Sequence, residues 1–245
     1  MCINEKIEQE NIPESIKPKI IKMLQDGYSP EEIVQAEPKY EKYRIVIQFL
    51  CMRMLLKNKY PQYEDGSPYY RDNYSQWHIC TPKITKTVYT ELCNKYGKKA
   101  IYRCSVDKDN TLESYLDAGA PPVLFVSNYK GTLDYAEFLS FLDEEIAPRW
   151  DIGINPSYQF WTTSIITSPL PPEELYLPPQ LSPKKEYKKQ IESLTAPLLR
   201  RLDTITYHYK EDDIDKAFTM PAEDYRDFSD LKRRARRYKD MKFYN

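Results

Sequence analysis

Apolar residues recur at helical spacing over most of the first hundred positions. Ile16, Ile20, Met23 and Leu24 define one stripe, which predicts a helix from Ile16 to Asp26, capped by Ser15 and stopped at Gly27. Ser29-Pro30-Glu31-Glu32 carries the serine, proline and glutamate of a capping box and starts a short helix to about Ala36. Pro38 opens a third helix to about Lys59, apolar on nearly every side between Ile45 and Leu56. Tyr60 to Asn73, with Pro61 and Asp65-Gly66-Ser67-Pro68, reads as a loop. Thr81-Pro82 repeats the cap-plus-proline start; Ile84, Val88 and Leu92 form a stripe that ends at Tyr96-Gly97.

The β signal is weaker. Lys99 to Val106 alternates, and Val123-Leu124-Phe125-Val126 is a short apolar run after Pro121-Pro122, so these two segments are expected to form a small sheet. Helical spacing returns from Thr132 to Ile146. Prolines and irregular aromatics then dominate, and Pro148 to Pro183 reads as an extended arm, since proline cannot donate to a helix or sheet ladder. A lysine-rich helix from Lys184 to Arg201, an acidic turn at Glu211 to Asp215 and a basic helix from about Ala222 to Lys242 complete the pattern.

The expected fold is therefore mainly α with a small β element (α+β): a helical body, an extended Pro-rich arm and a charged C-terminal helix. Four segments follow: an N-terminal helical bundle (1–60), a mixed helical and small-sheet subdomain (61–147), the arm (148–183) and the charged C-terminal helices (184–245).

Composition narrows the function classes. The 245 residues include 22 Tyr and 19 Pro but only 6 Gly, which favours contact surfaces over glycine-rich phosphate loops. A formal net charge of -1 excludes a globally basic coat, while Lys232-Arg233-Arg234-Ala235-Arg236-Arg237 is locally very basic. Five cysteines without a paired framework and an N-terminus lacking an apolar core point to a reducing compartment, intracellular or inside a virion, not secreted. The run Ile45 to Leu56 is far below the ~20 residues of a membrane span.

Candidate chemistry is sparse. The chain has only two histidines and lacks G-x-S-x-G, a P-loop and G-x-G-x-x-G, so no enzyme, catalytic residue or cofactor is expected. His78, Cys80, Cys93 and Cys104 supply zinc-type ligands, but their spacing fits no familiar knuckle, and small buried thiols are the commoner role. Leu175, Tyr176 and Leu177 on the arm are expected to anchor in a neighbouring subunit, and Arg233, Arg234, Arg236 and Arg237 to meet an acidic partner or nucleic acid. Lys83, Lys86, Asn94 and Lys95 lie on the polar side of the Thr81 helix, where nucleic-acid contact is the alternative to a solvated face. Two seats for a helix-turn-helix exist, one around Gly27-Tyr28-Ser29 and one at this helix.

The favoured function is a non-enzymatic subunit of a multi-protein assembly, with other protein subunits as partners. A ring or head-tail connector component of a phage-like virion is the class-level analogy. The alternative is a DNA-binding packaging or regulatory protein.

Overall fold

A computed structural model of the chain describes residues 12–59, 69–104, 114–146, 159–176 and 188–241. Its seven described helices are α1 (Lys17–Gln25), α2 (Pro30–Ala36), α3 (Arg44–Lys59), α4 (Pro82–Tyr96), α5 (Tyr135–Leu142), α6 (Lys188–Leu199) and α7 (Phe228–Met241). The strands are β1 (Tyr69–Tyr70), β2 (Tyr74–Ile79), β3 (Ile101–Cys104), β4 (Val123–Val126), β5 (Glu145–Ile146), β6 (Thr163–Ser168), β7 (Thr204–Glu211) and β8 (Ile214–Pro221). The chain forms two compact units, Met1–Arg71 with Leu112–Pro121 and Glu145–Phe160, and Asp72–Thr111 with Pro122–Glu144 and Trp161–Asn245.

The first unit is helical. Ser29 Oγ accepts the Glu32 N–H at 3.2 Å, and Glu32 Oε2 accepts the Ser29 N–H at 3.0 Å, which completes the capping box of α2. Ile20, Leu24, Ile33, Val34, Ile47 and Cys51 bury a common core. Residues 38–43 form a 3-10 turn before α3, so the expected third helix is divided. Asp117 ties this unit together: its carboxylate accepts Gln48 Nε2 at 2.9 Å and pairs with Arg44 at 3.3 Å, and its carbonyl accepts the Glu31 N–H at 3.2 Å. A two-stranded antiparallel ladder, β1 with β5, belongs to the same unit.

The second unit overturns the expected fold class. It contains a six-stranded mixed sheet in the order β3-β4-β6-β2-β7-β8, parallel throughout except for the β7–β8 hairpin. This is an α/β fold, not a mainly α body with a small β element. Its strands come from three of the four linear segments expected from sequence. β6, Thr163-Ser164-Ile165-Ile166-Thr167-Ser168, lies within the segment read as an extended arm, and five of its six residues are buried. The acidic turn is the tip of the β7–β8 hairpin, where Asp212 and Asp213 have φ of 49° and 61°.

Helices cover both faces of the sheet. Trp77 pairs with Ile166, so it lies on the face opposite Ile165. Val88 of α4 packs with Ile101, Val123, Phe125 and Ile165 on one face, whereas Phe138 of α5 meets Trp77 edge-on at 6.2 Å on the other. The crossover through α4 runs outward from β2 to β3 and the one through α5 runs back from β4 to β6. Right-handed crossovers of opposite direction must place their helices on opposite faces.

Candidate functional site

In open parallel sheets, ligands bind beyond the carboxyl ends of the strands, where connections diverge. Here that edge is formed by the ends of β2, β4 and β6. Only Cys80 and Thr81 separate β2 from α4, and Pro82 occupies the first helical position. Cys80-Thr81-Pro82-Lys83-Ile84-Thr85-Lys86-Thr87 keeps the Lys-Thr pair of G-x-x-x-x-G-K-[ST], but Cys80 and Thr85 replace the two glycines. A phosphate-cradling loop needs those glycines so that successive N–H groups can turn toward the anion. In this chain the helix begins instead inside the stretch that would form the loop, and Lys86 and Thr87 lie exposed on α4.

The rest of the edge is bonded to itself. The Cys80 N–H donates to Ser168 O at 2.8 Å, and the Tyr129 N–H donates to Thr167 O at 2.7 Å. Thr167 Oγ1 accepts the Asn128 N–H at 2.9 Å and donates to Val126 O at 3.2 Å. Ser168 Oγ accepts the Leu170 N–H at 3.0 Å, and Trp77 Nε1 donates to Leu170 O at 3.2 Å. β4 runs into Ser127-Asn128 and β6 into Pro169, so neither strand ends in the carboxylate that phosphoryl transfer requires to hold magnesium.

One strand further, His208 Nε2 lies 2.9 Å from His78 Nδ1, with the rings stacked, and His78 Nε2 lies 3.2 Å from Gln76 Oε1. An amide oxygen only accepts, so His78 carries its proton on Nε2 and its bare Nδ1 accepts from His208. Burial, then the neighbouring His208, pushes the His78 pKa down to about 3. Burial lowers His208 as well, against the pull of Asp215. His78 is thus paired with a histidine, and among the described residues no group of three or more His, Cys, Asp or Glu is placed to hold a metal ion. Cys80 and Cys104 are buried thiols and Cys93 is a half-buried one; burial pushes Cys104 up to about 12.

The second charged feature is α7. Leu231 and Ala235 face the interior, and Phe228 meets the Tyr207 ring edge-on at 5.1 Å. On the outer side Ser229, Lys232, Arg233, Arg236 and Arg237 line one open groove. Asp230 accepts Arg234 Nε at 2.7 Å and also pairs with Arg233, so these two are self-neutralised in part. From 228 to 237 the helix holds five cations and one carboxylate. Among the side chains described, which on this helix end at Arg237, Asp230 pairs with Arg233 and Arg234 and no carboxylate pairs with Arg236 or Arg237.

The arm residues turn inward. Leu175 is buried, and the Tyr176 hydroxyl bonds to Tyr129 Oη and to Leu133 O, with its ring 4.8 Å from Tyr135. These anchors belong to the core of their own unit; Leu177 and the arm residues 148–158 and 178–183 lie outside the described residues. Glu173, in the same turn, accepts the Tyr225 hydroxyl at 2.6 Å and the Phe228 N–H at 2.7 Å, which fastens the start of α7. Lys83, Lys86, Asn94 and Lys95 are all exposed on α4, but α4 is a crossover helix packed on a sheet, not the second helix of a helix-turn-helix. In the other seat, α3 commits Ile47, Cys51 and Met52 to burial.

The degenerate Lys86-Thr87 pair was the missed signal, and it acquires meaning only when Tyr74–Ile79 is recognised as a strand. No known protein family matches the sequence, and no curated protein matches it.

Proposed function

We propose that this chain is a non-enzymatic interaction subunit built on a sheet of phosphate-binding layout whose phosphate turn is closed. The observation that carries this reading is the two-residue β2–α4 connection, glycine-free and followed by Pro82. The N–H groups of Cys80, Asn128 and Tyr129, which border the edge, donate within the chain, so a bound phosphate would meet few free backbone donors. Among the described residues, the turns after β2, β4 and β6 place no carboxylate directly at the strand ends. Buried thiols at Cys51 and Cys80 suit a reducing compartment. The connector analogy started from a compact helical body with extended arms and no catalytic centre; the second unit is built on a six-stranded sheet, so the proposal is kept at the level of an interaction subunit.

Calorimetric titration of the purified chain with magnesium-ATP and magnesium-GTP, together with phosphate-release assays, tests the proposal. No binding heat and no turnover are expected. Binding with a Kd of about 0.1 mM or tighter, or hydrolysis that Lys86→Ala abolishes, would overturn it.

A further inference from the structure

We propose that the outer face of α7 is a docking surface for the phosphodiester backbone of nucleic acid, read by charge and not by base sequence. Lys232 and Arg236, like Arg233 and Arg237, are one helical turn apart, a spacing of about 6 Å along the axis. The charges therefore form a regular row along one side. Asp230 offsets two arginines, while Arg236 and Arg237 form no such pair with the side chains described up to residue 237, and Lys232 sits 4.3 Å from the Phe228 ring with its charge retained. A surplus of cations this close repels itself until an anion screens it.

The composition of the groove favours nucleic acid over an acidic protein. Protein interfaces bury an apolar, often aromatic centre. All five lining residues, Ser229, Lys232, Arg233, Arg236 and Arg237, end in polar heads. Guanidinium groups match phosphate oxygens two at a time, and a hydroxyl adds one further donor. The helix is held rigidly enough to present this row: Leu231 is wholly buried, and Glu173 caps the first turn. The surface is separate from the closed sheet edge, so nucleotide binding there would leave this inference standing.

Fluorescence anisotropy with a labelled mixed-sequence 20-base-pair duplex, titrated in 50 to 200 mM salt, provides the test. Binding should weaken steeply with salt. Arg236→Gln with Arg237→Gln should weaken binding about tenfold at 50 mM and make the log–log salt slope shallower by about 2, at ~0.9 per lost phosphate contact. Lys83→Gln with Lys86→Gln on α4 should change neither. Absence of binding at 50 mM, an unchanged slope in the α7 variant, or a slope lost in the α4 variant would each overturn the proposal. So would polyglutamate competing as well as unlabelled DNA of equal charge.

Discussion

His78 and His208 stand on adjacent parallel strands with ring nitrogens 2.9 Å apart, a contact that requires the His78 Nδ1 to stay unprotonated. Both folded-state pKa values lie below the ordinary histidine value. The unfolded chain therefore binds more protons below about pH 6.5, and stability should fall as pH drops from there toward about 3. The slope should approach ~1.4 kcal/mol per pH unit for each extra proton taken up. Chemical denaturation at a series of pH values measures it, and His78→Gln with His208→Gln should flatten the acid limb.

Glu173→Ala should destabilise the second unit by about 1–3 kcal/mol, because it orphans the buried Tyr225 hydroxyl and uncaps the Phe228 N–H together. Glu173→Gln keeps an acceptor and should lose less. Burial raises the Glu173 pKa, so the charged carboxylate is the form the fold disfavours. The advantage of the wild-type chain over Glu173→Gln, read by urea denaturation, should narrow as pH rises above the ordinary glutamate value, because only the wild type then has to charge a buried carboxyl.

Gly131 has φ of +77°, and a Cβ there would lie 2.6 Å from the Leu175 carbonyl oxygen. Gly131→Ala adds a left-handed strain to a backbone clash, and should lower the melting temperature by several degrees, equivalent to a loss of about 2 kcal/mol or more. Gly27→Ala, at a similar φ but in open space, should cost about 1 kcal/mol, and the comparison separates the clash from the strain.

In the helical unit, Asp117→Ala removes the acceptor of Gln48 and one anion of Arg44. A loss of about 1–3 kcal/mol is expected, since the Gln48 amide is buried and left unpaired. Asp117→Asn should recover part of it, as hydrogen exchange at Gln48 and its neighbours in α3 would report.

The helices were legible because each carried its own punctuation. Ser29-Pro30 opens α2 and Thr81-Pro82 opens α4, with Gly97 just past its end, as local chemistry requires. The sheet was not, because its strands depend on partners far along the chain. β2, with Gln76 and His78 on one side, lacks a continuous apolar run and gave no strand signal. β6 mixes Thr and Ser with Ile165-Ile166 and is surrounded by prolines, so composition favoured an arm over a strand that is buried by its neighbours. In β7, Thr204-Ile205-Thr206-Tyr207-His208-Tyr209 does alternate, but the Asp212-Asp213 tip reads as charge before it reads as a hairpin turn. At the candidate site, the basic row was visible as a run of cations. The closed sheet edge was not, because Cys80, Asn128 and Thr167 meet only once the strands are in order.

The central position of β2 has a consequence for synthesis on the ribosome. Its register partners are Thr163–Ser168 and Thr204–Tyr207, about 90 and 130 residues later in the chain. At ~5–20 residues per second, both edges of β2 stay unpaired for roughly 5 to 18 seconds after it emerges, and one of them for roughly 7 to 26 seconds. During that interval Trp77 and Ile79 have no sheet to join, and the nascent chain carries an open template for pairing with other chains. Yield in cells should therefore depend on chaperone supply and translation rate more than the final stability of the fold would suggest.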